Sequence, residues 1–556
     1  MRYALVLALA ALVAPAPLRA ADPPITFQTH PLDRVLGDLR SAADLVGGEK
    51  AVKALNAGIK DKLGEKGFEG LDVNKPVVGY VLLSPILEDT VAVVAFPVST
   101  EKAFLSFCER WNNGQKPKDL GKGLYEVPAL FPDSVSRMKF SGGYAYIAAG
   151  KKPEAALADK ELVAPDKLYD PAERAVLAGK LHFDRITPEV KKAAIGWLAD
   201  AKKQVEDAGG GPGGWFGGII KAAAPELEKL LTRYFILLGG ADTATLRVSV
   251  DVPTSDLVVE ATLTPKPASL LAKVIADHKP TGNRFGALIA TPDTVAGFKT
   301  RLPFFNDELK TAGVKSLEAG QKLAVDATPE VGKAAVEELF KGLIRTVKSG
   351  EADIVAGVRG PDKDGEFAFV AAVAFDDTAA LEKEFKKFFK GDAPQDEQNR
   401  MKWDVAKVGN TNIHTFQLTP GGFFDITKPF GREKASLAFA FAPKGIFVTI
   451  GVNPVATMKD ALAVKPADAP VLDIVLNPKR VAQLVEKGGG QALEVERALG
   501  KEDKLVSAMS LKITGGKELS VKYAINLRML PRAIFTESGG FDGDKTEKVP
   551  PVEEKK

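Results

Sequence analysis

The chain states one pattern twice. Residues Pro76 to Phe107 read PVVGYVLLSPILEDTVAVVAFPVSTEKAFLSF, and Asp353 to Phe388 read DIVAGVRGPDKDGEFAFVAAVAFDDTAALEKEFKKF, in the same order of strand, turn, strand, cap and helix. Aligning Phe96 with Phe375 gives an offset of 279 residues. A repeat on this scale sets the architecture before any chemical motif is weighed.

The order continues through both halves. Each half reads as opening with a Pro-led helix, PLDRVLGDLRSAADLV from Pro31 and PDTVAGFKTRL from Pro292, since the first helical turn has no amide partner for proline to lose. A second helix follows. In the later copy Thr328 is read as its N-cap, and Val331, Ala335, Val336, Leu339, Phe340, Leu343 and Val347 form one apolar stripe. After the quoted hairpin and helix come a short strand (GLYEV from Gly123, NIHTFQL from Asn412) and a second hairpin (from Met138 and from Leu437). A strand with a following helix comes next, from Leu181 and from Leu472, and a long hairpin closes each half, from Thr245 and from Ser510. Alternation such as Leu246, Val248, Val250 implies antiparallel sheet with a face covered by helices. The expected class is therefore α+β, as two tandem related modules, 24–280 and 286–535, each with its own antiparallel sheet of hairpins packed against helices.

The segment 1–20, MRYALVLALAALVAPAPLRA, has Arg2 before a short apolar run that ends at prolines and small residues, which predicts a secretory signal peptide. The expected location is periplasmic or extracellular, with no transmembrane segment in the mature chain. The tail 536–556 is charged and poor in apolar residues, and predicts disorder. The single cysteine, Cys108, allows no intramolecular disulfide, so stability must come from burial. Its spacing with Phe104, Phe107 and Trp111 places it in an apolar helical stripe. Lys and Arg total 75 against 72 for Asp and Glu, interspersed along the chain, so nothing electrostatic favours nucleic acid.

No motif identifies a substrate. The four histidines, His30, His182, His278 and His414, are scattered, and no HExxH, GxSxG, SxxK, Walker A or Rossmann fingerprint occurs. Among them His182 with Asp184 is the best pair for a metal, two residues apart on a strand and so on one face, although no third ligand is marked. The glycine-rich AGGGPGGWFGG offers Trp215 and Phe216 either as an apolar contact tip or as a staple tucked back before a helix. Loop aromatics at matching places, Phe131 in the first half and Phe423, Phe424 and Phe430 in the second, fit either buried plugs or two like-placed contact surfaces. With 72 acidic residues, pairs of carboxylates carry no information about acid and base roles. No cofactor is expected.

GLYEV with GGYAYIAAGKKPEAAL, and NIHTF with KGIFVTIGVNPVATMKDAL, resemble segments of uncharacterised exported bacterial proteins with tandem α+β modules, and the Ala, Pro, Lys and Gly usage resembles that of planctomycetes. The resemblance implies scaffold and export, and no activity. From sequence the expectation is a non-enzymatic envelope protein, structural or acting by binding to an unknown protein partner or to itself. The alternative is a carrier of an apolar small molecule between helices and sheet. A hydrolase built around His182 and Asp184 comes third.

Overall fold

The structure, a computed structural model, describes residues 22–86, 89–128, 135–191, 193, 237–277, 282–302, 307–328, 330–391, 393–419, 427–466 and 470–529. The elements of the first half are β1 (Ile25–Pro31), α1 (Leu32–Leu63), β2 (Pro76–Leu82), β3 (Val91–Pro97), α2 (Glu101–Trp111), β4 (Lys118–Asp119), β5 (Leu124–Val127), β6 (Val135–Ser141), β7 (Tyr144–Gly150), β8 (Leu177–His182), β9 (Ala241–Asp251), β10 (Asp256–Pro265) and α3 (Leu270–Asp277). Those of the second are β11 (Thr294–Arg301), α4 (Asp307–Ala327), α5 (Glu330–Ser349), β12 (Asp353–Arg359), β13 (Ala368–Ala374), α6 (Thr378–Gly391), β14 (Met401–Val408), β15 (Thr411–Gln417), β16 (Ser436–Ala442), β17 (Gly445–Gly451), α7 (Pro454–Leu462), β18 (Leu472–Leu476), α8 (Pro478–Lys487), α9 (Ala492–Leu499), β19 (Val506–Thr514) and β20 (Leu519–Asn526).

All strand pairings are antiparallel, and the first half runs β4-β5-β6-β7-β3-β2-β1-β8-β9-β10 across the sheet. The second half runs β14-β15-β16-β17-β13-β12-β11-β18-β19-β20, the same order strand for strand. The two runs meet where β10 pairs with β20, from Asp256↔Asn526 to Leu263↔Leu519. The class is mixed α+β, as expected. The expectation of one sheet per module gives way, among the described residues, to a single sheet of 20 strands. The reason is backbone chemistry: β10 and β20 would each end a half with a row of unpaired N–H and C=O groups, and pairing them together satisfies both. Side chains reinforce the seam, Asn526 donating to Thr254 O at 2.9 Å and Asp256 Oδ1 at 3.1 Å, and Ser520 donating to Glu260 Oε1 at 2.8 Å.

The Pro-led opening helix of the second half is a correction. PDTVAGFKTRL forms β11, paired with β12 on one side and β18 on the other. Proline is compatible with a helix start but does not compel one, and here a central strand position wins. Gly297 lies opposite Gly357, and the Ile289 side chain occupies the space where a Cβ on either would project. In the first half Pro31 ends β1, a strand the sequence reading passed over, and the helix begins one residue later at Leu32.

A helix pair follows in each half. Within α1 the residue Gly48 has φ +64°, and Arg40 Nε bonds Asn56 Oδ1 at 3.1 Å. Sixteen residues of straight helix would span about 24 Å, so α1 folds back on itself at that glycine. In the second half α4 and α5 make the same turn between separate helices, but Thr328 does not cap α5. Its hydroxyl donates back to Ala324 O at 2.7 Å, closing the end of α4.

Both faces of the sheet are covered. In the first half Phe104 and Phe107 of α2 pack with Met138 and Ile147, and on the other face Leu157, Val163 and Leu168 cover Tyr80, Val93 and Tyr146. Thr100 caps α2 by accepting the Ala103 N–H at 3.2 Å. Cys108 is buried in this core, and burial pushes its thiol up to about 12, so it stays protonated as a small hydrophobe. Trp111, on the same stripe, is 53% exposed and lies outside the core. In the second half α6 brings Leu381 and Phe385 onto Phe439 and Phe441, while Met458 and Ala461 of α7 cover the opposite face at Ala438, Ala440 and Phe447. Among the described residues, no helix is long and apolar enough to cross a membrane.

The first ladder tolerates no side chain at Gly79, which pairs directly with Phe27; a Cβ there would lie 2.1 Å from the Phe27 ring and 2.5 Å from Val93 O. Gly79→Ala is therefore expected to cost about 1–3 kcal/mol by overpacking, read as a lower thermal unfolding midpoint. An unchanged midpoint would show that β1 can move away freely.

Candidate functional site

The α4–α5 hairpin does not seat flush on the sheet. Between it and the ends of β11, β12 and β13 lies a cavity of about 380 Å³ lined by Leu302, Leu309, Leu317, Leu343, Val347 and Val373. Leu309, Gly313 and Leu317 recur at four-residue spacing and so line one side of α4; Leu343 and Val347 do the same on α5. The polar groups in the wall are already engaged. Ser316 donates to Ala312 O at 2.9 Å, and Thr346 donates to Gly342 O at 2.9 Å while accepting the Asp376 N–H at 3.0 Å.

Asp353, fully buried, is the third. Arg301 Nε sits 2.7 Å from its Oδ1 as an ion pair that lacks the alignment of a hydrogen bond, while Nη2 donates to Oδ2 at 3.3 Å. The backbone N–H of Arg284 donates to the same Oδ2 at 2.9 Å, and the Arg284 guanidinium pairs with Glu351. Burial pushes the Asp353 carboxyl above its usual range, against the pull of Arg284 and Arg301. What this wall can offer a guest is apolar contact.

A polar cluster lies behind α6. Three residues of β14, Trp403, Asp404 and Val405, bulge opposite the single residue His414 of β15, because Lys402 pairs with Thr415 and Ala406 with Ile413. Asp404 takes φ +54°, and its N–H turns inward to donate to His414 Nδ1 at 3.0 Å. That bond assigns the proton to Nε2, which donates to Glu382 Oε1 at 3.1 Å. The imidazole is fully buried among Trp403 and Phe439, at 5.1 and 5.2 Å between ring centres. Burial lowers its pKa, with Lys386 acting in the same direction.

Glu382, Asp404 and His414 have ligand atoms within 4.8 Å of one another. They nevertheless do not suit a metal. Lys386 Nζ bridges Glu382 at 2.8 Å and Asp404 at 3.1 Å, and a neutral ring whose Nδ1 accepts a backbone N–H has no second lone pair at Nε2 to donate. The cluster is closed on itself and locks the bulge.

No family model, curated protein or solved structure matches the chain. The reading of the site therefore rests on its own geometry.

Of the residues singled out from sequence, Trp215, Phe216, Phe131, Phe423 and Phe424 lie outside the described residues, as do the segments 1–20 and 536–556. Phe430 is buried against Val295, Phe367 and Ala435, as a core plug. His182 is the last residue of β8, and Asp184 stands exposed two residues beyond it. Burial, then the charges of Arg185 and Lys180, pushes the His182 pKa down to about 4. The one three-ligand group among the described residues is at His414, not here.

His414→Ala leaves the Asp404 N–H without its acceptor and removes one of the Glu382 donors, and is expected to lower stability by about 1–3 kcal/mol in denaturant unfolding. His182 favours its neutral form in the fold, so its contribution is complete above its ordinary value of 6.5 and is lost as pH falls toward about 4. His182→Gln should flatten the decline of the unfolding midpoint over that window. Parallel wild-type and variant profiles would rule out this linkage.

Proposed function

We propose that the protein is an exported, non-enzymatic binding protein built on a duplicated α+β module, and that it carries an apolar ligand in the cavity beneath α4 and α5. One observation carries the reading: a space of about 380 Å³, within the usual range for small-molecule sites, in whose wall Ser316 and Thr346 are hydrogen-bonded within the protein and Asp353 is held by Arg301 and the Arg284 backbone. Such a wall rewards hydrocarbon and penalises any buried polar group on the guest that finds no partner. The identical strand order of residues 25–265 and 294–526 supports the duplication, and the apolar start of the chain supports export. The closed cluster at His414 supports a structural role for its polar residues, since its imidazole has both nitrogens engaged. Contact with another envelope protein is the remaining reading of the same scaffold.

Native mass spectrometry of gently purified protein should show retained mass, and the neutral fluorophore N-phenyl-1-naphthylamine should brighten on mixing and compete with that guest. Ala312 lines the cavity, so Ala312→Phe should fill it and abolish the fluorescence gain without lowering the unfolding midpoint. No retained mass and no fluorophore binding would remove the carrier reading.

A further inference from the structure

We propose that the protein has a second binding site, for a small phosphate-bearing organic anion, in the cleft between β14, β15 and β16 and the start of α7. The cleft holds about 500 Å³, and Arg400, Lys402, Thr415, Ser436 and Lys459 line it. Its described lining contains three cations and no carboxylate.

Some lysines of the chain are neutralised by a carboxylate and others are not; none of the three cations here has one in the described cleft wall. Lys139, Lys299, Lys386, Lys479 and Lys487 each sit within 3.1 Å of an acidic oxygen. Among the described residues, Lys402 and Lys459 have no such partner, and the Thr415 and Ser436 hydroxyls make no hydrogen bond. Arg400 is held in place: Nη1 donates to Thr419 Oγ1 at 2.6 Å, Nε donates to Asp396 O at 3.3 Å, and the guanidinium lies 4.9 Å from the centre of the Phe416 ring. Its one acidic contact, Asp396 at 3.5 Å, is 76% exposed and so contributes little neutralisation.

Gathering three like charges in a concave surface raises the local positive potential, which draws anions in. The donors approach from three strands and a helix. A phosphate monoester presents three terminal oxygens and about −1.5 to −2 charge at neutral pH, and so matches donors arriving from several sides better than a planar carboxylate does. The volume exceeds what a bare phosphate needs and leaves space for an organic part. This site is independent of the apolar cavity, since the two share no lining residue.

Calorimetric titration of the purified protein with phenyl phosphate, with benzoate as the carboxylate control, tests the assignment. Saturable binding of phenyl phosphate that weakens as salt rises is expected, with benzoate binding far more weakly. Lys402 and Lys459 are exposed, so Lys402→Gln and Lys459→Gln should leave the unfolding midpoint unchanged while each lowers affinity about tenfold. The proposal fails if phenyl phosphate does not saturate at millimolar concentration, if benzoate binds equally, or if the double variant binds like wild type.

Discussion

The pairing of β10 with β20 is the constraint on which the rest of the structure depends. Each half ends its strand order with a hairpin, β9–β10 or β19–β20, whose outer strand would otherwise present open hydrogen-bonding groups to water. Running antiparallel from Asp256↔Asn526 to Leu263↔Leu519, the two outer strands close each other and turn two ten-strand runs into one sheet. Glu260 lies opposite Lys522 in the register of this seam and accepts the Ser520 hydroxyl across it. Among the described residues the remaining edges are β4 and β14, and β14 carries the bulge at Asp404 that breaks the regularity a new strand would need.

Once the sheet is continuous, helices can be placed on both of its faces, and this governs what the strands tolerate. In β16 the alternate residues Ala438 and Ala440 serve one core while Phe439 and Phe441 serve the other. A polar residue on such a strand has no solvent to turn toward. His414, between Ile413 and Thr415, is therefore fully buried and must find protein partners for both ring nitrogens, which the bulged Asp404 and Glu382 of α6 supply. Asp353 meets the same demand at the start of β12 with Arg301 and Arg284. The apolar cavity exists because the α4–α5 hairpin is held above the strand ends near this buried charge and does not press onto them.

Much of this scaffold was legible in the sequence. The order of hairpins and helices, the burial of Cys108 and the stripe of α5 all follow from period and spacing, and Leu343 and Val347 of that stripe line the cavity. The reading of Pro292 to Leu302 as a helix failed because a proline near a segment's start suits several structures, and only the partners β12 and β18 decided among them. Sequence alternation put His182 and Asp184 on one strand, whereas β8 ends at His182, because a strand's end carries little local signal. The cluster at His414 was missed for a different reason. Its members, Glu382, Lys386, Asp404 and His414, lie on three elements, and the bulge that gathers them leaves no mark in composition.

The sequence by itself determined the order of elements, the antiparallel character of the hairpins and the apolar faces of the helices, because these depend on local periodicity and on turn and cap residues a few positions apart. Tertiary structure alone decided that the two halves share one sheet, that a histidine is buried with both ring nitrogens engaged and an aspartate beside an arginine, and that a basic cleft and an apolar cavity open where they do. Those outcomes come from contacts between residues as far apart as Glu260 and Ser520, and a strand carries no local signal of which distant edge will complete it.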